Sequence, residues 1–100
     1  MIFGRDFIID FAKYRINTTR YHLIKTEYPS WLIEKYTEAA WKITESFIKQ
    51  HKQELKDSST DVIQLRNQLS TKFKLLYIRV QQLNNIANKV LESSLKQIEF

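Results

Sequence analysis

The sequence predicts an all-α protein, and the expected architecture is an antiparallel four-helix bundle in a single domain, residues 1–100. Only one Gly and one Pro occur, which favours long helices over a turn-rich β architecture. Apolar residues recur at spacings of three and four along the chain, as they do on one face of an α-helix. Aromatic residues make up 13% of the chain, and this content argues against disorder.

The first helix is predicted from about Arg5 to Lys25, and it carries two apolar faces on nearly opposite sides. Because a domain of this size can hardly bury a helix all round, we expect one face, the aromatic one, to form an oligomer or partner interface. The alternative is that both faces pack inside a single bundle. The aromatic face consists of Phe7, Phe11, Tyr14, Thr18 and Tyr21, and the second face of Ile9, Ala12, Ile16, Thr19 and Leu23.

The second helix is predicted from about Ser30 to Lys56. It follows a break, because Pro29 disfavours a helical conformation at Tyr28, and Ser30 can cap the helix that begins there. Lys and Glu alternate on its solvated face, so the carboxylates there form no acidic cluster. Its predicted core stripe consists of Ile33, Tyr36, Ala40, Ile43 and Phe47.

Residues 57–61, with the sequence Asp-Ser-Ser-Thr-Asp, form the clearest predicted loop. From Val62 onward one apolar stripe keeps a helical phase almost to the end of the chain. Apolar residues also crowd all sides of the helix between Leu75 and Val80, which favours a turn near Ile78 to Gln82 and two shorter helices. The alternative is three helices, the last of them very long. The stripe consists of Val62, Leu65, Leu69, Phe73, Leu76, Val80, Leu83, Ala87, Val90 and Ile98.

Charge is segregated along the chain, which has a formal net charge of +5. No acidic residue lies between Asp10 and Glu27, or between Asp61 and Glu92. Two long one-sided segments predict a surface that faces RNA, DNA or an acidic protein. The alternative is a small protein kept soluble by its positive charge. The residues expected to contact nucleic acid are Arg15, Arg20, Lys25, Arg66, Lys72, Lys74, Arg79 and Lys89.

Several kinds of chemistry are not expected from this sequence. It has no Cys, which excludes disulfides and thiolate-bound metal and is compatible with a reducing compartment. His22 and His51 fall in different predicted helices with no carboxylate at ligand spacing, so no metal site is predicted. Gly4 is the only Gly, so no phosphate-cradling loop and no cofactor are predicted. We expect a soluble, cytoplasmic protein with no membrane span.

Arg15 and His22 lie seven positions apart, a spacing that puts both on one face of the first helix. The pair resembles the Arg and His of HEPN ribonucleases, and that resemblance implies RNA cleavage in a dimer cleft. A solvent-facing pair on a basic helix is the simpler interpretation. We therefore predict no catalytic residue and no enzymatic activity.

The last third of the chain resembles a family of small helical bundles through the pattern of its apolar and polar segments. The segments are Leu65-Arg66, Leu75-Leu76-Tyr77-Ile78, a polar stretch into Leu83, and Val90-Leu91-Glu92-Ser93-Ser94-Leu95-Lys96. They are similar to the C-terminal helical pair of the accessory variability determinants of diversity-generating retroelements and the related ribosomal-RNA intervening-sequence proteins. Glu92 would match an acid that opens the last turns, and Phe100 a terminal aromatic.

The resemblance implies an antiparallel four-helix bundle that assembles into a ring, with a basic surface and an accessory role beside a reverse transcriptase and its RNA. We accordingly expect a small, basic, self-associating accessory protein that binds RNA or an RNA–protein complex. The alternative is a protein-binding adaptor, antitoxin or phage-type inhibitor that docks on an acidic partner.

Overall fold

The structure, a computed structural model, describes residues 3–98, and this part of the chain contains four α-helices and no strand. The all-α class predicted from the sequence is confirmed. Three of the helices are long and one has only five residues, whereas the sequence predicted four long ones. Phe100, the terminal aromatic of the family resemblance, lies outside the described residues. The helices are α1 (Phe3–Lys25), α2 (Ser30–Gln50), α3 (Lys52–Lys56) and α4 (Val62–Ile98).

The predicted break between α1 and α2 is confirmed, and it combines a helix stop with a helix start. Glu27 adopts a left-handed conformation with φ of 61°. The N–H of Tyr28 donates to the carbonyl of Leu23 at 3.0 Å, and that of Glu27 to Ile24 at 3.1 Å, which is the Schellman pattern that closes a helix. Pro29 then precedes α2 in an extended conformation. The two helices that this short connection joins pack against each other, and we call the pair the α1–α2 hairpin.

The prediction of one helix from Ser30 to Lys56 is wrong in one respect, because the helix is interrupted at His51. This residue has φ −106° and ψ 23°, outside the helical region, and the short α3 follows it. The His51 ring packs on Phe47, with 4.3 Å between ring centres, and its Nδ1 lies 2.9 Å from a Glu54 carboxylate oxygen. The change of direction buries Leu55 against Gly4, where a Cβ would lie 2.7 Å from the Leu55 carbonyl oxygen.

The predicted loop at residues 57–61 is confirmed, and its two aspartates supply the hydrogen bonds that shape it. The Asp57 carboxylate accepts hydrogen bonds from the backbone N–H and the hydroxyl of Ser59, and these bonds lower the pKa of Asp57. The Asp61 carboxylate accepts from the N–H groups of Ile63 and Gln64, which caps the start of α4.

The turn predicted near Ile78 to Gln82 is wrong, since α4 continues through it as one helix of 37 residues. No Gly, Pro, Asn or Asp occurs at these positions, so nothing in the local sequence favours leaving the helix. The apolar side chains that suggested the turn are not covered by a returning helix. Leu75 and Ile78 stay 63% and 49% exposed. The alternative prediction of a very long C-terminal helix is the one observed.

The α1–α2 hairpin packs against only the first half of α4. Phe11 stacks on Phe73 and His22 lies beside Tyr77, at ring-centre distances of 6.4 and 6.1 Å, so α1 and α4 run in the same direction. Among the described side chains, Val80 is the last buried one on α4. The molecule measures 66 × 21 × 16 Å, because the rest of α4 extends beyond the packed body. The core consists of Ile8, Ala12, Ile16, Leu23, Leu32, Ile33, Tyr36, Ala40, Phe47, Leu55, Leu65, Leu69, Phe73 and Val80.

The predicted stripes of α1 and α2 are buried except at their margins, whereas the buried members of the α4 stripe end at Val80, and Leu83 and Val90 are 40% and 62% exposed. On α2, Ile43 is only partly buried, whereas Thr44 is buried and donates its hydroxyl hydrogen to the Ala40 carbonyl at 2.8 Å. On α1, Ile8 takes the fully buried place that the sequence assigned to Ile9.

We predict that two Leu→Ala changes on α4 will differ sharply in their cost. Leu69 is fully buried and Leu75 is 63% exposed, although both lie in the packed half of the helix. Leu69→Ala should lower the free energy of unfolding by about 2–5 kcal/mol, because it leaves a cavity in the core. Leu75→Ala should change it by less than about 0.5 kcal/mol. Urea denaturation followed by circular dichroism measures both, and equal losses would contradict this placement of the core.

Candidate nucleic-acid interface

A groove of about 460 Å³ runs between α1 and α4. We call it the α1–α4 groove. Its walls combine cationic, hydroxyl and aromatic side chains, and its floor includes one residue of α2. The groove is lined by Arg15, Thr18, Thr19, His22, Tyr36, Phe73, Lys74, Tyr77 and Ile78.

Two arginines from different helices converge on the ring of Phe11. The guanidinium carbons of Arg15 and Arg66 lie 5.7 and 5.9 Å from the ring centre, distances typical of cation–π contacts. Arg15 also donates from Nη1 to the Ser70 hydroxyl at 2.8 Å, which links α1 to α4. Phe11 is itself held by its stacking on Phe73. These contacts position both guanidinium groups without neutralising their charge.

The described ion pairs lie away from this groove. Within residues 3–98, Lys42 pairs with Glu38 at 3.0 Å on α2, and the His51 ring nitrogen lies 2.9 Å from a Glu54 carboxylate oxygen in the segment after it. The hydrogen bond and charge of Lys42 lower the pKa of Glu38. On α1 and α4 the basic residues of the groove sit in segments that contain no acid. The residues that line the α1–α4 groove include Arg15 and Lys74 and no acid, so their formal charge is positive.

Tyr36 forms the deepest part of the groove, since its side chain is only 1% exposed. Burial raises the pKa of its hydroxyl, an effect that the Thr19 hydroxyl and the Arg15 charge partly oppose. His22 and Tyr77 lie nearer the surface, with their rings tilted by 54°. Arg15 and His22, which were predicted to share one face of the first helix, both line this groove.

The structure separates the predicted nucleic-acid residues into several groups. Arg15 and Lys74 line the α1–α4 groove, and Arg66 adjoins it through the shared ring. Lys72 and Arg79 instead line a second groove of about 550 Å³ between α2 and α4. The remaining three are exposed and stand apart: Arg20 on another side of α1, Lys25 with its ammonium 5.3 Å from the Tyr21 ring, and Lys89 near the far end of α4.

The aromatic residues of the predicted interface face of α1 fall into a partly buried pair and an exposed pair. Phe7 and Phe11 are partly buried and pack against the core of their own chain. Tyr14 and Tyr21 are 69% and 63% exposed. A partner contact through this face remains a prediction, and the two tyrosines are the members that have surface to offer.

Sequence reasoning missed Ser70, which accepts a hydrogen bond from Arg15, and the residues that α4 and α2 add to the two grooves. Ser70 and Tyr77 lie seven positions apart and so share one side of α4, next to the core stripe. That spacing could have indicated that polar side chains border the apolar stripe of α4 where it packs against another helix. Lys42 joins Lys72 and Arg79 in the second groove, and this grouping depends on the pairing of α2 with α4.

No protein-family model matches the chain, and neither a curated protein nor a solved structure shows significant similarity to it. Within residues 3–98, no helix combines the length and the apolar character that crossing a bilayer requires. In the same residues, no three His, Asp or Glu side chains come together in a way that could hold a metal ion.

We predict that stability will fall at alkaline pH partly because of Tyr36. Its pKa is raised in the folded state, so above about pH 10 the unfolded chain loses this proton while the folded chain keeps it. The stabilising contribution is complete below that pH and is lost as the pH rises through the folded-state pKa. Tyr36→Phe should make the alkaline decline shallower, whereas Tyr14→Phe, an exposed control, should not. Urea midpoints measured from pH 8 to pH 11 test this, and an unchanged decline in Tyr36→Phe would contradict it.

Proposed function

We propose that the protein is a non-catalytic module that binds nucleic acid, RNA in particular, through the α1–α4 groove. The observation that supports this most strongly is the convergence of Arg15 and Arg66 on Phe11, with Lys74 on the same groove. Guanidinium groups bind phosphate through paired N–H donors, and these two are held in place before any ligand arrives.

Aromatic and hydroxyl groups beside these cations extend the proposal from phosphate to nucleic acid. Tyr77 and His22 line the groove, and the exposed Tyr14 and Tyr21 stand on the same helix as Arg15. Aromatic rings stack on unpaired bases whatever their sequence, and hydroxyls donate to phosphate or to the ribose 2′-OH. We therefore propose single-stranded or locally unpaired RNA with weak sequence preference. In the setting that the family resemblance implies, this RNA would be bound beside a reverse transcriptase.

A protein-binding adaptor is the second candidate, and a separate observation favours it. Beyond Val80, α4 exposes a series of aliphatic side chains that no other helix of the described residues covers. Such a surface favours a protein contact. It does not compete with the groove for residues, so both kinds of binding can reside in one molecule.

We predict that removing the groove cations will weaken RNA binding more than removing the same charge elsewhere. The test variant is Arg15→Gln, Arg66→Gln and Lys74→Gln. The matched control is Lys13→Gln, Arg20→Gln and Lys35→Gln, which are exposed and line neither groove. Fluorescence anisotropy with a labelled single-stranded RNA, from about 50 to 200 mM salt, should show affinity falling with salt. The slope should decrease by about 0.7 for each phosphate that the variant no longer neutralises.

The controls separate binding from folding. Arg15 and Arg66 hold interhelix contacts, so Arg15→Lys with Arg66→Lys keeps the charge and should retain more affinity than the Gln variant. Thermal melts should show that every variant used is folded. Equal losses in test and control variants would show attraction by net charge alone. The proposal would be overturned if the wild-type protein did not bind RNA at about 50 mM salt. Attraction to phosphate is stronger at this low salt concentration than at physiological salt, so binding should be easiest to detect there.

A further inference from the structure

A further cationic cluster lies at the end of the body where α1 begins. It borders a pocket of about 350 Å³ that shares no residue with either of the two grooves. Residues of α1, α2 and α3 line this pocket together, and most of them are basic. We call it the basal pocket, and it is lined by Arg5, Ile48, Lys49, Lys52, Leu55 and Lys56.

Three of the cations come from the two sides of the break at His51. Lys49 lies in the last turn of α2, whereas Lys52 and Lys56 lie on α3. Spacings of three and four residues put side chains on one side of a helix. The break preserves this arrangement, because all three lysines line the same pocket.

Gly4 allows α1 to add the fourth cation. A Cβ at Gly4 would lie 2.7 Å from the Leu55 carbonyl oxygen, so only Gly permits α1 and α3 to pack this closely. Arg5 is the next residue, and it borders the same pocket as the lysines of α2 and α3. The only Gly of the chain thus helps to assemble the cluster.

The cluster has no acidic partner of its own. No acid lines the basal pocket, and none of its four cations forms an ion pair within residues 3–98. On and after α3, Glu54 contacts His51, and the Asp57 carboxylate accepts hydrogen bonds from Ser59. Like charges around one small pocket repel one another, and a bound anion relieves this repulsion. The pocket therefore favours a ligand that concentrates several negative charges in a small volume.

An adjoining pocket of about 330 Å³ shares Arg5, Ile48 and Lys49 with the basal pocket. It adds apolar and aromatic surface, including Trp41, and the carboxylate of Glu45. A planar aromatic group packs well against an indole ring, and a carboxylate accepts hydrogen bonds from an amino group. The two pockets together match a ligand that joins a polyanion to a planar aromatic group.

We propose that the two pockets form a binding site for a nucleoside diphosphate or triphosphate. The four cations hold the phosphate groups, which carry several negative charges on linked phosphorus atoms, and the nucleobase lies along Trp41. Lys binds phosphate as a point charge, so this site needs no glycine-rich loop. Acidic side chains of a peptide carry one charge each on separate residues and match the basal pocket less well. The site is separate from the α1–α4 groove and does not depend on RNA binding there.

Isothermal titration calorimetry with ATP at constant ionic strength tests the site. The wild type should bind with a dissociation constant between about 10 μM and 1 mM. Lys49→Gln with Lys52→Gln and Lys56→Gln should weaken binding by about tenfold or more. The control should lose no more than about threefold, because its charges lie in solvent away from the site. It is Lys13→Gln, Arg20→Gln and Lys35→Gln, at exposed positions that line neither pocket. A wild type that does not bind ATP, or equal losses in the two variants, would overturn the proposal.

Inorganic triphosphate and Trp41 fluorescence test the position of the nucleobase. Trp31→Phe leaves Trp41 as the only Trp, since the chain has two. ATP should quench this fluorescence and bind more tightly than inorganic triphosphate, which has no nucleobase. Equal affinity without quenching would contradict the nucleoside assignment. A wild type that binds vesicles containing phosphatidylinositol bisphosphate, but not ATP, would show a lipid headgroup as the ligand and would also overturn the proposal.

Gly4→Ala tests the assembly of the basal pocket without changing its charge. The added Cβ should displace α3 from α1 and separate Arg5 from the lysines, so affinity for ATP should fall by about tenfold. Thermal melts show whether this variant is folded, and the lysine variant, whose changes are at exposed positions, decides the outcome if it is not. Wild-type affinity in a folded Gly4→Ala chain would overturn the proposed site.

Discussion

The structure depends on a difference in helix length, because α1 and α2, with 23 and 21 residues, pack on α4, which has 37. The α1–α2 hairpin can cover α4 only as far as its connection reaches, near Tyr77 and Val80. Before that limit, apolar side chains of α4 pack against α1 and α2 and form the core. Beyond it, side chains of the same type meet solvent. The division of the molecule into a packed body and an exposed second half of α4 follows from this single constraint.

Within the body, the direction of the chain determines how charge is distributed. Helices α1 and α4 are both free of acid over most of their length, and they pack side by side in the same direction. Basic residues of both helices therefore share a groove, while α2 pairs an acid with a base of its own helix, as in the Glu38–Lys42 pair. A body only 21 × 16 Å across thus presents a cationic side and a side of mixed charge.

The helix ends that are marked by turn-forming residues were predictable from the sequence. Pro29 marks the break before α2, the loop at residues 57–61 separates α3 from α4, and both lie where they were predicted. The break at His51 was not predictable, because no Gly, Pro, Asn or Asp occurs at residues 49–53, and the close approach of Leu55 to Gly4 that accompanies the break depends on packing. The turn predicted at Ile78 to Gln82 is wrong because exposed apolar groups do not require cover within their own chain. For the groove, the acid-free segments were visible in the sequence, but the meeting of Arg15 and Arg66 on Phe11 depends on packing.

The continuity of α4 through the end of the body has a consequence for local stability. Amide protons before Val80 lie in a helix turn that cannot open without disturbing the core, so their exchange with solvent requires global unfolding. Amide protons a few turns later belong to a solvated helix, which frays on its own at little cost. A single uninterrupted helix should thus carry a gradient of exchange protection from near the full unfolding free energy to almost none. The position of that gradient would show how far cooperative structure extends along α4.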